Sequence, residues 1–144
     1  MRLLNDIHAA EYGTSAQLVT KAPGRFHLLG EHSWFFKDKT MSMAVNLPVY
    51  VAFSKREDNS FHFYFYQAKE RKKSSLTALK YKKEDRWANA VKAMIYGFTS
   101  GGFTLSGMDI TIFSEILPSA GFGITSAIKV AVAFGIKNLY NINC

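Results

Sequence analysis

The chain has 144 residues, 48% of them hydrophobic, which is enough for one domain with a real core and too apolar for a disordered tail. Lysine and arginine outnumber the acidic residues 18 to 11, and the formal net charge of +7 favours phosphate-bearing partners without choosing among nucleotide, nucleic acid and anionic lipid. The one cysteine, Cys144, rules out an intramolecular disulfide, no apolar run approaches the ~18 residues a membrane span needs, and no signal-peptide core follows Met1, so a soluble cytoplasmic protein is expected.

Residues 1–12 read as a short helix with Leu3, Leu4, Ile7 and Tyr12 apolar, stopped at Gly13-Thr14. An extended segment from Ala16 to Ala22 meets Pro23-Gly24, a turn signal, and Arg25 to Leu29 reads as a further strand before the polar loop opened by Gly30. Met41 to Lys55 is extended, with a bend or sheet edge expected at Pro48. In Phe61 to Tyr66 the phenylalanines Phe61, Phe63 and Phe65 alternate with His62, Tyr64 and Tyr66, so one face should meet a helix layer and the other should be half exposed.

Two basic runs, Lys69–Lys73 and Lys80–Lys83, flank a short strand candidate at Leu76–Leu79 and read as a solvated hairpin. From Arg86 to Phe98 the apolar residues Trp87, Ala90, Val91, Met94, Ile95 and Phe98 follow helical spacing, and Ser100-Gly101-Gly102 ends that helix. Gly107 to Ser114 alternates as a strand, with Met108, Ile110 and Ile112 on one side. A loop from Leu117 to Gly123 leads into a last helix, Ile124 to Tyr140, whose apolar face runs through Ala127, Ile128, Ala131, Gly135 and Leu139. His8, His27 and His62 have no metal-ligand spacing and read as surface or partly buried residues. The order of elements gives an α+β layout.

The segment Pro118-Ser119-Ala120-Gly121-Phe122-Gly123-Ile124-Thr125-Ser126 joins strand to helix. Its small residues permit close approach of a ligand to the backbone, and the first free N–H groups of the helix, with its dipole, favour an anion. Thr125 and Ser126 add hydroxyls for phosphate or a magnesium ion. The same pattern also suits a plain turn and N-cap, and it is not a Walker A loop, since no Gly-Lys-Ser/Thr follows Gly123.

Three stretches together resemble the galactokinases of the GHMP kinase family. Ala22-Pro23-Gly24-Arg25-Phe26-His27-Leu28-Leu29-Gly30-Glu31-His32 is similar to their signature, which runs proline–glycine–arginine and later glycine–glutamate–histidine. Arg86-Trp87-Ala88-Asn89-Ala90-Val91-Lys92 resembles the family's arginine–tryptophan–alanine–asparagine–tyrosine–valine–lysine helix, and Gly121 to Ser126 falls where the family carries its glycine- and serine-rich phosphate loop. Order and spacing agree over nearly the whole chain.

The resemblance implies a GHMP kinase N-terminal domain over residues 1–144, like domain 2 of ribosomal protein S5, with a mixed sheet and helices on one side. It implies binding of ATP, Mg2+ and a hexose, the complete enzyme converting ATP and galactose, or a related hexose, to ADP and the sugar 1-phosphate. By position, Arg25 would orient the site, Glu31 and His32 would bond sugar hydroxyls, and Trp87 would lie by the adenine. Gly121, Phe122, Gly123, Ile124, Thr125 and Ser126 would hold the nucleotide, with Thr125 as a metal ligand. Without the flanking signature, Glu31 and His32 would read as a solvated turn, and Trp87 as the start of a buried stripe.

The chain also departs from the family pattern. Ser33-Trp34-Phe35 stands where the family has threonine–aspartate–tyrosine, Gly123 and Ile124 replace two loop serines, and Lys129 replaces a glutamate early in the following helix. The family's catalytic aspartate and C-terminal domain fall beyond Cys144, so these 144 residues alone are expected to lack activity. A second chain carrying that half, or a homodimer, is then a candidate partner. Two other readings stay open: a pseudokinase that senses nucleotide or sugar, and a basic nucleic-acid-binding module, which would need lysines clustered on one face with aromatics between them.

Overall fold

The structure, a computed structural model, describes residues 2–30, 39–117 and 119–143. Helix α1 spans Arg2–Tyr12, strand β1 Leu18–Leu29, β2 Met41–Lys55, β3 Ser60–Phe65 and β4 Glu70–Ser75. Two 3-10 turns, Leu76–Ala78 and Lys83–Asp85, lead to α2, Ala88–Ser100, followed by β5, Met108–Ser114, and α3, Ile124–Leu139. The strands form one mixed sheet in the order β1-β2-β5-β3-β4, antiparallel except for β3 beside β5. That parallel pair is possible because β4 and α2 carry the chain back to the end of the sheet where β3 began.

Alternation decides what each face holds. Val49, Val51 and Phe53 of β2, Phe61 and Phe63 of β3, and Ile110 and Ile112 of β5 are at most 1% exposed. Paired register puts them on one face, beneath α2 and α3. Each such side chain stabilises the fold by about 1.5–3 kcal/mol. Gly135 brings α3 onto Phe53: a Cβ there would lie 2.1 Å from the Phe53 ring.

Helix α1 lies on the other face, apart from the expected layer. Its buried side chains are only Leu4 and His8, too narrow a stripe for a place in the main core. His8 is fully buried, contrary to the sequence expectation, with Nδ1 2.8 Å from Thr111 Oγ1 and Nε2 2.9 Å from Ser54 Oγ. Tyr12 donates to the Ile110 carbonyl at 3.2 Å. Buried polar groups that all find partners can dock a helix where apolar area is small.

Three local expectations are corrected. The Pro23-Gly24 turn is a register shift inside continuous β1, and Pro48 faces Pro23 across the ladder instead of bending β2 away. Neither proline has an N–H to lose, so the irregularity sits where the ladder tolerates it. The basic run Lys69–Lys73 includes most of edge strand β4, and Leu76–Ala78 is a 3-10 turn. Among the described residues no helix is long and apolar enough to cross a membrane.

Candidate functional site

The strand carrying Arg25 and the loop before α3 touch. Gly24 is buried, and a Cβ on it would fall 2.9 Å from Val45 Cγ2 and 3.1 Å from the Phe122 carbonyl oxygen. Only a glycine lets the loop cross this close. The Arg25 backbone N–H donates to that carbonyl at 2.8 Å, and the Phe26 and Phe122 rings lie 5.8 Å apart. The bond fixes the loop against the strand two residues before the helix starts.

Gly123 then turns the chain into α3 in the left-handed region, with φ 68° and ψ 37° and no side-chain cap. The first helical bond runs from the Ala127 N–H to the Gly123 carbonyl at 3.0 Å. The N–H groups of Ile124, Thr125 and Ser126 therefore point out of the helix, as unpaired first-turn donors do. Phe122 and Ile124 pack their side chains on the core, which leaves their backbone as the part a ligand could meet. Thr125 and Ser126 are exposed, and Lys129, also exposed, lies one turn further on the same side as Thr125. Arg25 is exposed beside Gly123, with no ion pair among the described residues. Uncapped donors, two hydroxyls and two cations are a donor set that fits phosphate oxygens.

Trp87 immediately precedes α2 and is half-buried. Its Nε1–H donates to Glu70 at 2.7 Å, and its ring meets Phe65 edge-on at 5.4 Å. Phe65 pairs with Ile112, near the end of β5 that runs into the loop, so Trp87 and the start of α3 stand at the same end of the sheet. Among the described residues, no hydrogen bond or ring contact joins Trp87 to the loop. Trp87 thus has one edge against the core, as the start of a buried stripe requires, and remains partly exposed. Glu70, which fixes the indole, sits at the edge of a basic run and gave no sequence signal. Glu31 and His32, and the departures Ser33, Trp34 and Phe35, lie outside the described residues, as do Pro118 and Cys144.

The arrangement defines a class of fold. The Methanococcus jannaschii mevalonate kinase superposes with a TM-score of 0.74 at 18% identity, over 88% of this chain and 41% of that one. The Lactococcus lactis galactokinase complexed with galactose superposes with a TM-score of 0.85 at 22% identity, over 99% of this chain and 38% of that one. This is the α+β fold of the GHMP kinase N-terminal domain. Residues 6–55 match the galactokinase galactose-binding signature. A Treponema pallidum (strain Nichols) relative with a provisional galactokinase name is 43% identical over 140 residues, 97% of this chain and 35% of the relative. The galactokinase of Ligilactobacillus salivarius (strain UCC118) is 31% identical over 145 residues, 99% of this chain and 38% of the relative. The chain corresponds to the N-terminal portion of the galactokinases, and spans little more than a third of the length of these relatives.

Proposed function

We propose that this chain is the sugar- and nucleotide-binding portion of a galactokinase. The observation that carries the reading is the Arg25–Phe122 backbone bond, which joins the sugar-signature strand to the phosphate-type loop. The first-turn N–H groups of α3 receive the phosphates of ATP, Thr125 and Ser126 add hydroxyl contacts, and the open edge of Trp87 lies by the base. Arg25 holds a fixed positive charge where the two substrates approach. Glu31 and His32 follow on the same signature and bond the hydroxyls of galactose or a related hexose. Thr125 is the side chain available to Mg2+, which supplies charge neutralisation at the phosphates when bound.

In a complete enzyme the reaction moves the terminal phosphoryl group of ATP to a sugar hydroxyl, giving ADP and the sugar 1-phosphate. These 144 residues bind without turnover, because phosphoryl transfer depends on positioning acceptor, metal and phosphate together. The relatives are almost three times as long, so the remaining cleft would come from further chain, in cis or on a second polypeptide.

Calorimetric titration with magnesium-ATP and, separately, galactose tests the reading. Saturable binding of both is expected, with Trp87→Ala and Thr125→Ala weakening only the nucleotide and Glu31→Ala only the sugar. Absence of heat with either ligand would refute it. Robust sugar-dependent ADP formation by the isolated chain would overturn the claim of binding without turnover.

A further inference from the structure

A cavity that shares no residue with the loop lies on a different side of α2 from the stripe that carries Val91 and Ile95. It has a volume of 540 Å³ and lies between α2 and the connector that follows β4. Leu76, Leu79 and Ala93 line it, with Tyr81 and Tyr96 at its mouth. The two tyrosines are 77% and 60% exposed, and neither hydroxyl has a partner among the described residues. Large aromatic side chains left uncovered beside an apolar hollow are the surface a flat ligand would cover.

The polar lining is sparse and nearly saturated. Asn89 uses its amide on the backbone of Lys82, with bonds of 2.7 and 3.2 Å. Lys92 is only 3% exposed, and its ammonium donates to the Lys80 carbonyl and to Asp85 Oδ2, each at 2.6 Å. The Asp85 carboxyl is held below its ordinary range by that Lys92 bond, so it is ionised at neutral pH. Lys80, which also lines the cavity, is exposed and forms no ion pair among the described residues, so its ammonium is open to a ligand. Between Leu76 and Lys92 the chain carries Lys80, Lys82, Lys83, Arg86 and Lys92 against Glu84 and Asp85 only. That surplus favours an anion over a neutral molecule.

We propose that this cavity is a binding site for a small planar aromatic carboxylate, its ring set against Tyr81 and Tyr96 and its acid group on the Lys80 ammonium. The site shares no residue with the nucleotide loop and does not rest on the kinase reading.

Naphthoate is a suitable probe for the whole 144-residue chain, with binding followed by NMR of the tyrosine ring protons and compared with methylnaphthalene, which has the ring without the acid. Saturable naphthoate binding is expected to weaken about tenfold in Tyr96→Ser, the scale of one aromatic contact. Lys80→Met should weaken it too, and Lys80 and Tyr96 are both surface residues, so neither change should disturb the fold. Methylnaphthalene should bind at least about tenfold more weakly than naphthoate. No saturable binding, equal binding of the two probes, or an unaltered Tyr96→Ser would each overturn the assignment.

Discussion

The two faces of the sheet are covered by different physics. Beneath α2 and α3 the contact is mainly apolar, from Val49 and Phe53 to Phe63 and Ile112, with Gly135 drawing the helix onto the Phe53 ring and one side-chain bond from Thr20 to the Ala131 carbonyl at its margin. Beneath α1 the contact turns on a buried histidine between two hydroxyls, with Tyr12 on a backbone carbonyl and only Leu4 and His8 buried in the helix. The first interface depends on shape and area, and should be nearly indifferent to pH and salt. The second depends on protonation and on every polar atom finding its partner.

The largest effect should come from the apolar side. Gly135→Ala places a methyl group 2.1 Å from a ring that is itself 0% exposed, so neither partner can move freely. Alanine is favoured over glycine in a helix by about 1 kcal/mol, yet overpacking should dominate and leave the variant less stable by about 2–3 kcal/mol. Gly97→Ala is the control. Gly97 lies in α2, is exposed and would meet nothing within 4 Å, so the same substitution there should stabilise by about 0.5–1 kcal/mol. Chemical denaturation of both variants reads the difference. A stabilised Gly135→Ala would mean that α3 does not sit this close to the sheet.

The polar side should show a pH dependence that the apolar side lacks. Burial lowers the His8 pKa from 6.5 to about 4, so the folded chain keeps the ring neutral. Above about pH 6.5 the ring is neutral folded or unfolded, and its contribution is whole. As pH falls from 6.5 towards 4, the unfolded chain gains a proton that the folded one refuses, and stability drops over that window. His8→Leu removes this titration, leaves the Thr111 hydroxyl unpaired and leaves Ser54 only the long 3.5 Å contact with Thr14, at a cost of about 2 kcal/mol at neutral pH. Its stability curve should therefore converge on the wild-type curve as the solution is acidified. His62, also lowered by burial, contributes the same slope to both chains. Parallel curves would show that His8 does not titrate as its surroundings imply.

This difference between faces also explains what could be read from the sequence. The β3 alternation and the α2 and α3 stripes are periodic, and periodicity reports burial against a partner without naming it. His8 lies one turn beyond Leu4 on the buried side of α1, which is a real signal, but its partners Ser54 and Thr111 are distant in sequence and have no local mark. Strand β4 was hidden by its lysines, a composition that suits an edge strand as well as a loop. At the site, the motifs around Arg25, Trp87 and Gly121–Ser126 carried the family resemblance. Their adjacency did not, since the Arg25–Phe122 bond uses backbone atoms alone, and the anchoring of Trp87 by Glu70 is a tertiary contact. Pro23-Gly24 signals a turn and Pro48 a bend or edge because each proline advertises interruption, and only pairing shows that the two share one irregularity.

The smallest effect separates two ways of holding α1. Besides the buried histidine, Glu11 near the end of the helix forms a two-point ion pair with Arg71 on β4, whose guanidinium also lies 4.7 Å from the centre of the Tyr64 ring. Arg71 is 60% exposed, so water and salt screen the pair. Glu11→Gln should lower the denaturation midpoint less than His8→Leu does. At high salt the Glu11→Gln deficit should largely vanish, because the wild-type pair is then screened as well, whereas the His8→Leu deficit, arising from desolvated hydroxyls, should persist. If the Glu11→Gln deficit were instead the larger and resisted salt, α1 would be docked mainly from its rim, and the buried network would be a consequence of docking instead of its cause.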